Sequence, residues 1–158
     1  MNFLITNGTI ITAKDIFKAD IFISSGKIKQ ISKKKIPRKG VSVLNASNKY
    51  IFPGVIDPHV HFGLKAYGSR TSDNFETGTK SASSGGVTTV LDYAIPEKNE
   101  SMADAVKRRI RGAESAYIDY SFHSQIINWN KQSQKDFEKY RNRILEKEKE
   151  RLLSLIHI

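Results

Sequence analysis

The 158-residue chain is basic, with a formal net charge of +10, is 39% hydrophobic, and contains no cysteine. That composition excludes disulfides and cysteine-ligated zinc, so any metal site has to use histidine, carboxylate or a modified lysine. No run approaches the ~18 apolar residues of a membrane-crossing helix, and the N-terminus has neither the basic start nor the apolar core of a signal peptide; the expectation is a cytoplasmic protein without a membrane partner.

The positive charge sits in two solvated places. Lys33–Lys39 falls between strand signals and has no interleaved aromatic residues. Residues 131–151 mix eight basic with five acidic side chains. A solvated basic surface explains both runs, and no nucleic-acid partner is expected.

Residues 1–50 read as β. Phe3–Thr6 and Thr9–Thr12 flank Asn7-Gly8, and Ala19–Ser24 and Lys27–Ile31 flank Ser25-Gly26; each pair predicts a two-residue hairpin. Val41–Leu44 predicts a further short strand, closed by the Asn45–Asn48 turn. Short strands with turns between them suggest a small β-sandwich. Pro53-Gly54 then punctuates a change to alternating elements. Strand Val55–His59 is followed by a long loop over 62–72. Ser72 or Asp73 is the expected cap of a helix running to Ser84, with Gly85-Gly86 closing it. Val87–Tyr93 is β-branched and apolar, as a buried parallel strand requires. Ser101–Asp104 forms a capping box for a helix carrying Met102, Ala105, Val106, Ile110 and Ala113 on one face. Ile118–Ile126 predicts a third strand. The alternation argues right-handed parallel units. A charged helix over 131–151 with a thin stripe of Phe137, Tyr140, Ile144 and Leu145 completes the pattern.

The candidate chemistry lies in Ile51–Phe62, which contains Asp57, His59 and His61. Alternate residues of a strand share a face, so both imidazoles project to one side, roughly 6–7 Å apart along the strand. Two neutral imidazoles placed so supply half of a metal site. An H-x-H pair alone is a weak signal; its surroundings strengthen it.

The run from Phe52 to Tyr93 resembles the cyclic-amidohydrolase family, in its dihydropyrimidinase and hydantoinase branch. The matching residues are Asp57, His59 and His61 at a strand end, then Asp73, Phe75, Gly78 and Thr79 at a helix start. Gly85, Gly86, Thr88 and Thr89 follow at the entry to the next strand. Looser similarity runs from Met1 to about Trp129. Dihydroorotases and allantoinases carry a Glu-Pro-Gly segment with an arginine after the H-x-H, where this chain has Gly63–Gly68. A third alternative is a non-enzymatic dihydropyrimidinase-related protein, and the metal-binding pair argues against it.

The resemblance implies an α/β chain in three parts. Residues 1–52 are the N-terminal part of a β-sandwich. Residues 53–151 are the first strands and helices of a metal-dependent-hydrolase (β/α)8 barrel, truncated because a complete barrel takes about 200–250 residues. Residues 152–158, an abrupt apolar end, read as a non-native or truncated tail, and His157 is no ligand. The implied function is zinc-dependent hydrolysis of a cyclic ureide or imide by a binuclear centre in a protein that is homotetrameric at full length. His59 and His61 match as ligands. The bridging lysine, two further histidines and the proton-transferring aspartate lie beyond this chain, so the polypeptide alone is expected to bind metal weakly and to be inactive. Asp57 is a candidate for orienting a histidine or for fixing the Asp-Pro turn, and Asp92 for lining the site or for a structural hydrogen bond. His123 reads as a packed or rim histidine. Tyr67, Arg70 and Asp73 sit where loops shape substrate access.

Overall fold

The computed structural model describes residues 2–37, 39–66, 68–127, 129–139 and 141–142. It divides into two compact units, Met1–Val55 and Ile56–Ile158.

The first unit is one mixed sheet in which β1 (Asn2–Ile11) is central. It pairs antiparallel with β2 (Ile16–Ser24), which pairs antiparallel with β3 (Lys27–Ser32). On its other side β1 runs parallel to β4 (Ser42–Asn45) and to β5 (Tyr50–Ile51). Leu4, Thr6 and Ile10 of β1 are buried, as period-two alternation requires, and Ile10, Ala19 and Ile21 form a core with Ile5, Phe17, Ile23 and Ile51 packed on it.

The hairpin expected at Asn7-Gly8 is absent: β1 continues through it. Between the pairs Ile5↔Ile21 and Gly8↔Ala19, Thr6 and Asn7 of β1 oppose the single residue Asp20 of β2, which is a β-bulge. A type I′ turn needs positive φ at both central residues. Here only Asn7 is left-handed, at φ 62°. Its N–H donates to Asp20 Oδ1 at 3.2 Å and its Nδ2 to Asn45 Oδ1 at 2.9 Å. Gly8 serves packing instead: a Cβ there would lie 2.2 Å from Ile51 Cδ1. The Ser25-Gly26 hairpin does form, with both residues left-handed at φ 51° and 72°.

The second unit carries a three-stranded sheet in the order β10-β9-β6, formed by β6 (Val55–Val60), β9 (Val87–Ala94) and β10 (Asp119–Ser124). Strands β9 and β10 are parallel, in register from Thr89↔Asp119 to Ala94↔Ser124. Between β6 and the first helix, the expected loop contains a small antiparallel ribbon of β7 (Lys65–Ala66) and β8 (Ser69–Arg70).

Helix α1 (Phe75–Ser84) is capped by Asn74, one or two residues beyond the expected Ser72 or Asp73. Asn74 wins because Thr77 completes a reciprocal box with it: Asn74 Oδ1 accepts from Thr77 N at 2.9 Å, and Thr77 Oγ1 accepts from Asn74 N at 3.2 Å. Asp73 accepts from the Thr77 hydroxyl instead. Buried Thr79 ties α1 to the segment before β10, its hydroxyl accepting from Tyr117 N at 3.0 Å.

Helix α2 (Met102–Gly112) is capped by Ser101, whose hydroxyl accepts from Asp104 N at 3.1 Å. It buries Met102 and Ala105, while Ile110 stays 45% exposed. A further helical stretch covers 131–139. Within it Phe137 meets Trp129, ring centroids 6.0 Å apart. Tyr67, Tyr140 and residues 143–158, with Ile144, Leu145 and His157, lie outside the described residues. Among the described residues no helix is long and apolar enough to cross a membrane.

Candidate metal site

Strand β6 ends at Val60, and His59 and His61 flank that end. The two rings come together: Nε2 of one is 3.0 Å from Nε2 of the other, with centroids 4.9 Å apart and planes nearly perpendicular. Facing imidazole nitrogens at this distance cannot both carry protons without repulsion. They have to share one proton or bind one cation. Two imidazoles bound to one zinc ion at ~2.0–2.1 Å, with about 90–110° between them, place their nitrogens roughly 2.9–3.4 Å apart. The pair therefore fits one metal ion as two of its ligands. Among the described residues no group of three or more histidine, cysteine or acidic side chains accompanies it.

Tyr93, at the end of β9, is the common neighbour. Its ring centroid is 4.7 Å from that of His59 and 4.9 Å from those of His61 and His123. Its hydroxyl lies 3.4 Å from His59 Nδ1. His123, on β10, turns to the main chain: its Nε2–H donates to the Pro58 carbonyl at 3.0 Å, the only role open to a nitrogen facing a carbonyl oxygen. His61 differs from both, since its Nδ1 is buried with no hydrogen-bond partner among the described residues.

Of the two carboxylates marked in the sequence, Asp57 accepts from the main-chain N–H of His59 at 3.1 Å, the bond of an Asx turn across Pro58. Asp92 is 1% exposed and belongs to a denser arrangement. Its Oδ2 accepts from Phe62 N at 3.3 Å and pairs with Arg109 of α2. Arg109 also donates to the Phe62 carbonyl at 2.9 Å and lies 4.8 Å over the Phe75 ring. The Phe62 ring packs edge-on to Phe75 and fills the notch left by Gly78. Arg70 is exposed beside Gly63, and the Asp73 carbonyl accepts from Gly63 N at 2.7 Å.

Tyr93, Phe62 and Arg109 were not marked as site residues in the sequence. Tyr93 ends the predicted second strand, the place where side chains meet a site at the carboxyl ends of strands. Arg109 is one of four basic residues in Lys107–Arg111, and nothing in that run marks which of them turns inward.

Comparison with known proteins agrees with the α/β reading of the fold. Residues 50–154 match the model of the Amidohydrolase family, and the chain belongs to that family. More particularly, it is 38% identical over 136 residues to a dihydropyrimidinase of Dictyostelium discoideum and 42% identical over 127 residues to a D-hydantoinase of Geobacillus stearothermophilus. These matches cover 85% and 80% of this chain. Among solved structures, a D-hydantoinase superposes with a TM-score of 0.85 at 37% identity, covering 90% of this chain. A dihydropyrimidinase from Brevibacillus agri does so with the same score at 36% identity. The α/β fold is that of the hydantoinase and dihydropyrimidinase structures. The chain spans 27% of the length of both curated relatives and 31% of both solved chains.

Proposed function

We propose that this chain contributes the first metal ligands, His59 and His61, to a hydrolase that opens the amide bond of a cyclic ureide or imide. The observation that carries the reading is the convergence of two imidazole nitrogens at 3.0 Å at the end of β6. The names of the similar proteins, dihydropyrimidinase and D-hydantoinase, supply the substrate class. In this reading the first sheet is part of a β-sandwich, and β6, β9 and β10 with α1 and α2 begin a (β/α)8 barrel. Residues 1–52 and 53–151 are then the two domain portions, and 152–158 a tail outside them.

The metal we assign is zinc, as one ion of a binuclear centre whose other ligands lie outside the described residues. Bound there, zinc would supply hydroxide near neutral pH and polarise the substrate carbonyl. The chain's own residues have narrower tasks. His59 and His61 present unprotonated Nε2 atoms to one point. Tyr93 covers the pair from β9, and its hydroxyl oxygen would accept from His59 Nδ1–H. The Asp57 carboxylate fixes the turn that places His59. Two protein ligands fall short of the three that catalytic zinc sites use, so the 158-residue polypeptide binds zinc weakly and does not turn over hydantoin or dihydrouracil.

Zinc binding, followed by competition with a chromophoric chelator, tests this. Wild type is expected to bind about one ion, and His59→Ala and His61→Ala each to weaken that binding sharply, leaving only a residual affinity from the remaining histidine. Binding unchanged in both variants would overturn the assignment. Hydantoin hydrolysis by the polypeptide alone would overturn the expected inactivity.

A further inference from the structure

Metal-binding histidines are normally oriented by a hydrogen bond from the ring nitrogen that does not touch the metal. His59 has the Tyr93 hydroxyl near that nitrogen, whereas His61 Nδ1 is buried and has no partner among the described residues. Something other than a bond to its ring has to hold His61.

The next residue supplies it. Phe62 is fixed at three points by three elements. Its N–H donates to Asp92 of β9, its carbonyl accepts from Arg109 of α2, and its ring occupies the notch at Gly78 of α1. The Asp92–Arg109 pair is itself buried, with side chains 1% and 15% exposed, and Arg109 is further seated on the Phe75 ring. One carboxylate and one guanidinium thus grip both polar groups of a single residue. Both contacts come from one guanidinium nitrogen, Nη2, whose two hydrogens can serve the carboxylate and the carbonyl together.

We propose that Arg109 is a positioning residue for His61, acting through the main chain of Phe62, so that helix α2 sets the direction of one metal ligand without touching the metal. The proposal rests on the metal-binding reading above.

The test is a double-variant cycle on zinc affinity, with folding of each variant checked by circular dichroism. Arg109→Met is expected to weaken zinc binding about 10-fold or more, the range typical of lost outer partners. In a His61→Ala background the same substitution is expected to change the residual affinity by no more than about two-fold, the scatter of independent sites. A merely structural Arg109 would lower the melting temperature and leave the zinc affinity of the folded protein intact. Equal affinity in wild type and Arg109→Met, or equal losses in both backgrounds, overturns the proposal. If Arg109→Met does not fold, Asp92→Asn/Arg109→Met removes the pair without burying a lone charge, and the same criteria apply. Zinc binding in wild type that ignores His61→Ala would refute the metal site itself, an outcome distinct from histidine-dependent binding that ignores Arg109.

Discussion

Two helical glycines with opposite surroundings give a test of the packing around Phe62. Gly78 lies inside α1. A Cβ built on it would be 2.2, 2.5 and 2.9 Å from three atoms of the Phe62 ring, where ordinary contact begins near 3.4 Å. The ring cannot swing clear easily, since Phe75 packs on it at 5.4 Å and the Phe62 backbone is held by Asp92 and Arg109. Alanine gains about 1 kcal/mol over glycine in a helix interior. Forcing a methyl into a filled notch costs about 1–3 kcal/mol, and a shortfall of 1.2 Å against a rigid ring belongs at the upper end. Gly78→Ala is therefore expected to destabilise by about 1–2 kcal/mol net. Gly112, the last residue of α2, is the control. Its added Cβ would meet Phe75 at 3.9 Å, an ordinary contact, and its φ is not positive. Gly112→Ala should stabilise by about 0.5 kcal/mol, because only part of the propensity gain survives at a helix end. The two variants should differ by about 2 kcal/mol, or on the order of 10 °C in melting midpoint for a unit of this size. Thermal and urea unfolding of both reads the difference. Gly78→Ala as stable as wild type, or the two variants shifting alike, would refute the argument that Gly78 exists to admit Phe62.

Other expectations are simpler. Arg108 hydrogen-bonds Glu100 at 2.8 and 2.9 Å and holds its carboxyl below the usual range. A carboxyl with a depressed folded-state pKa contributes stability above its unfolded pKa and loses it as pH falls through the folded value. Wild type should therefore lose stability more steeply than Glu100→Gln below about pH 4.5; parallel acid limbs in pH-dependent urea melts would contradict this. At the β1 bulge, Asn7→Val should cost about 1–2 kcal/mol more than Asn7→Gly, because a β-branched residue resists φ 62°; equal stabilities in urea would mean that the left-handed conformation is not retained.

The histidine pair was legible because strand alternation is a strong local rule: residues two apart must share a side, whatever surrounds them. The two Asn-Gly-like signals show the limit of such rules. Ser25-Gly26 and Asn7-Gly8 are equally good turn dipeptides, yet only the first reverses the chain. Asn7-Gly8 runs on because β4 and β5 pair with β1 on either side of it and Ile51 fills the space over Gly8. Those partners lie about 40 residues away, so no reading of the dipeptide alone reaches them. The cap of α1 turns on a different rule. Ser72, Asp73 and Asn74 all accept hydrogen bonds, and the choice falls to Asn74 because Thr77 stands at the correct spacing to answer it. Arg109 was not legible at all. Its neighbours Lys107, Arg108 and Arg111 carry the same charge, and only the seating of α2 on β9 turns this one toward Asp92.

The Phe62 grip also bears on how much organisation the histidine pair needs before a metal arrives. Bringing two imidazole nitrogens to 3.0 Å is favourable only with a shared proton or cation between them, so an unheld pair would separate. Here the main chain beside both rings is held by groups that do not depend on a metal: the Asx turn at Asp57 for His59, and Asp92, Arg109 and Gly78 around Phe62 for His61. Little ordering cost is then left for metal binding. In the proposed reading the affinity of this polypeptide is limited by its having two donors, not by the disorder of those donors. Supplying a third ligand should raise affinity far more than stiffening the two already present, and loosening the Phe62 grip should lower it.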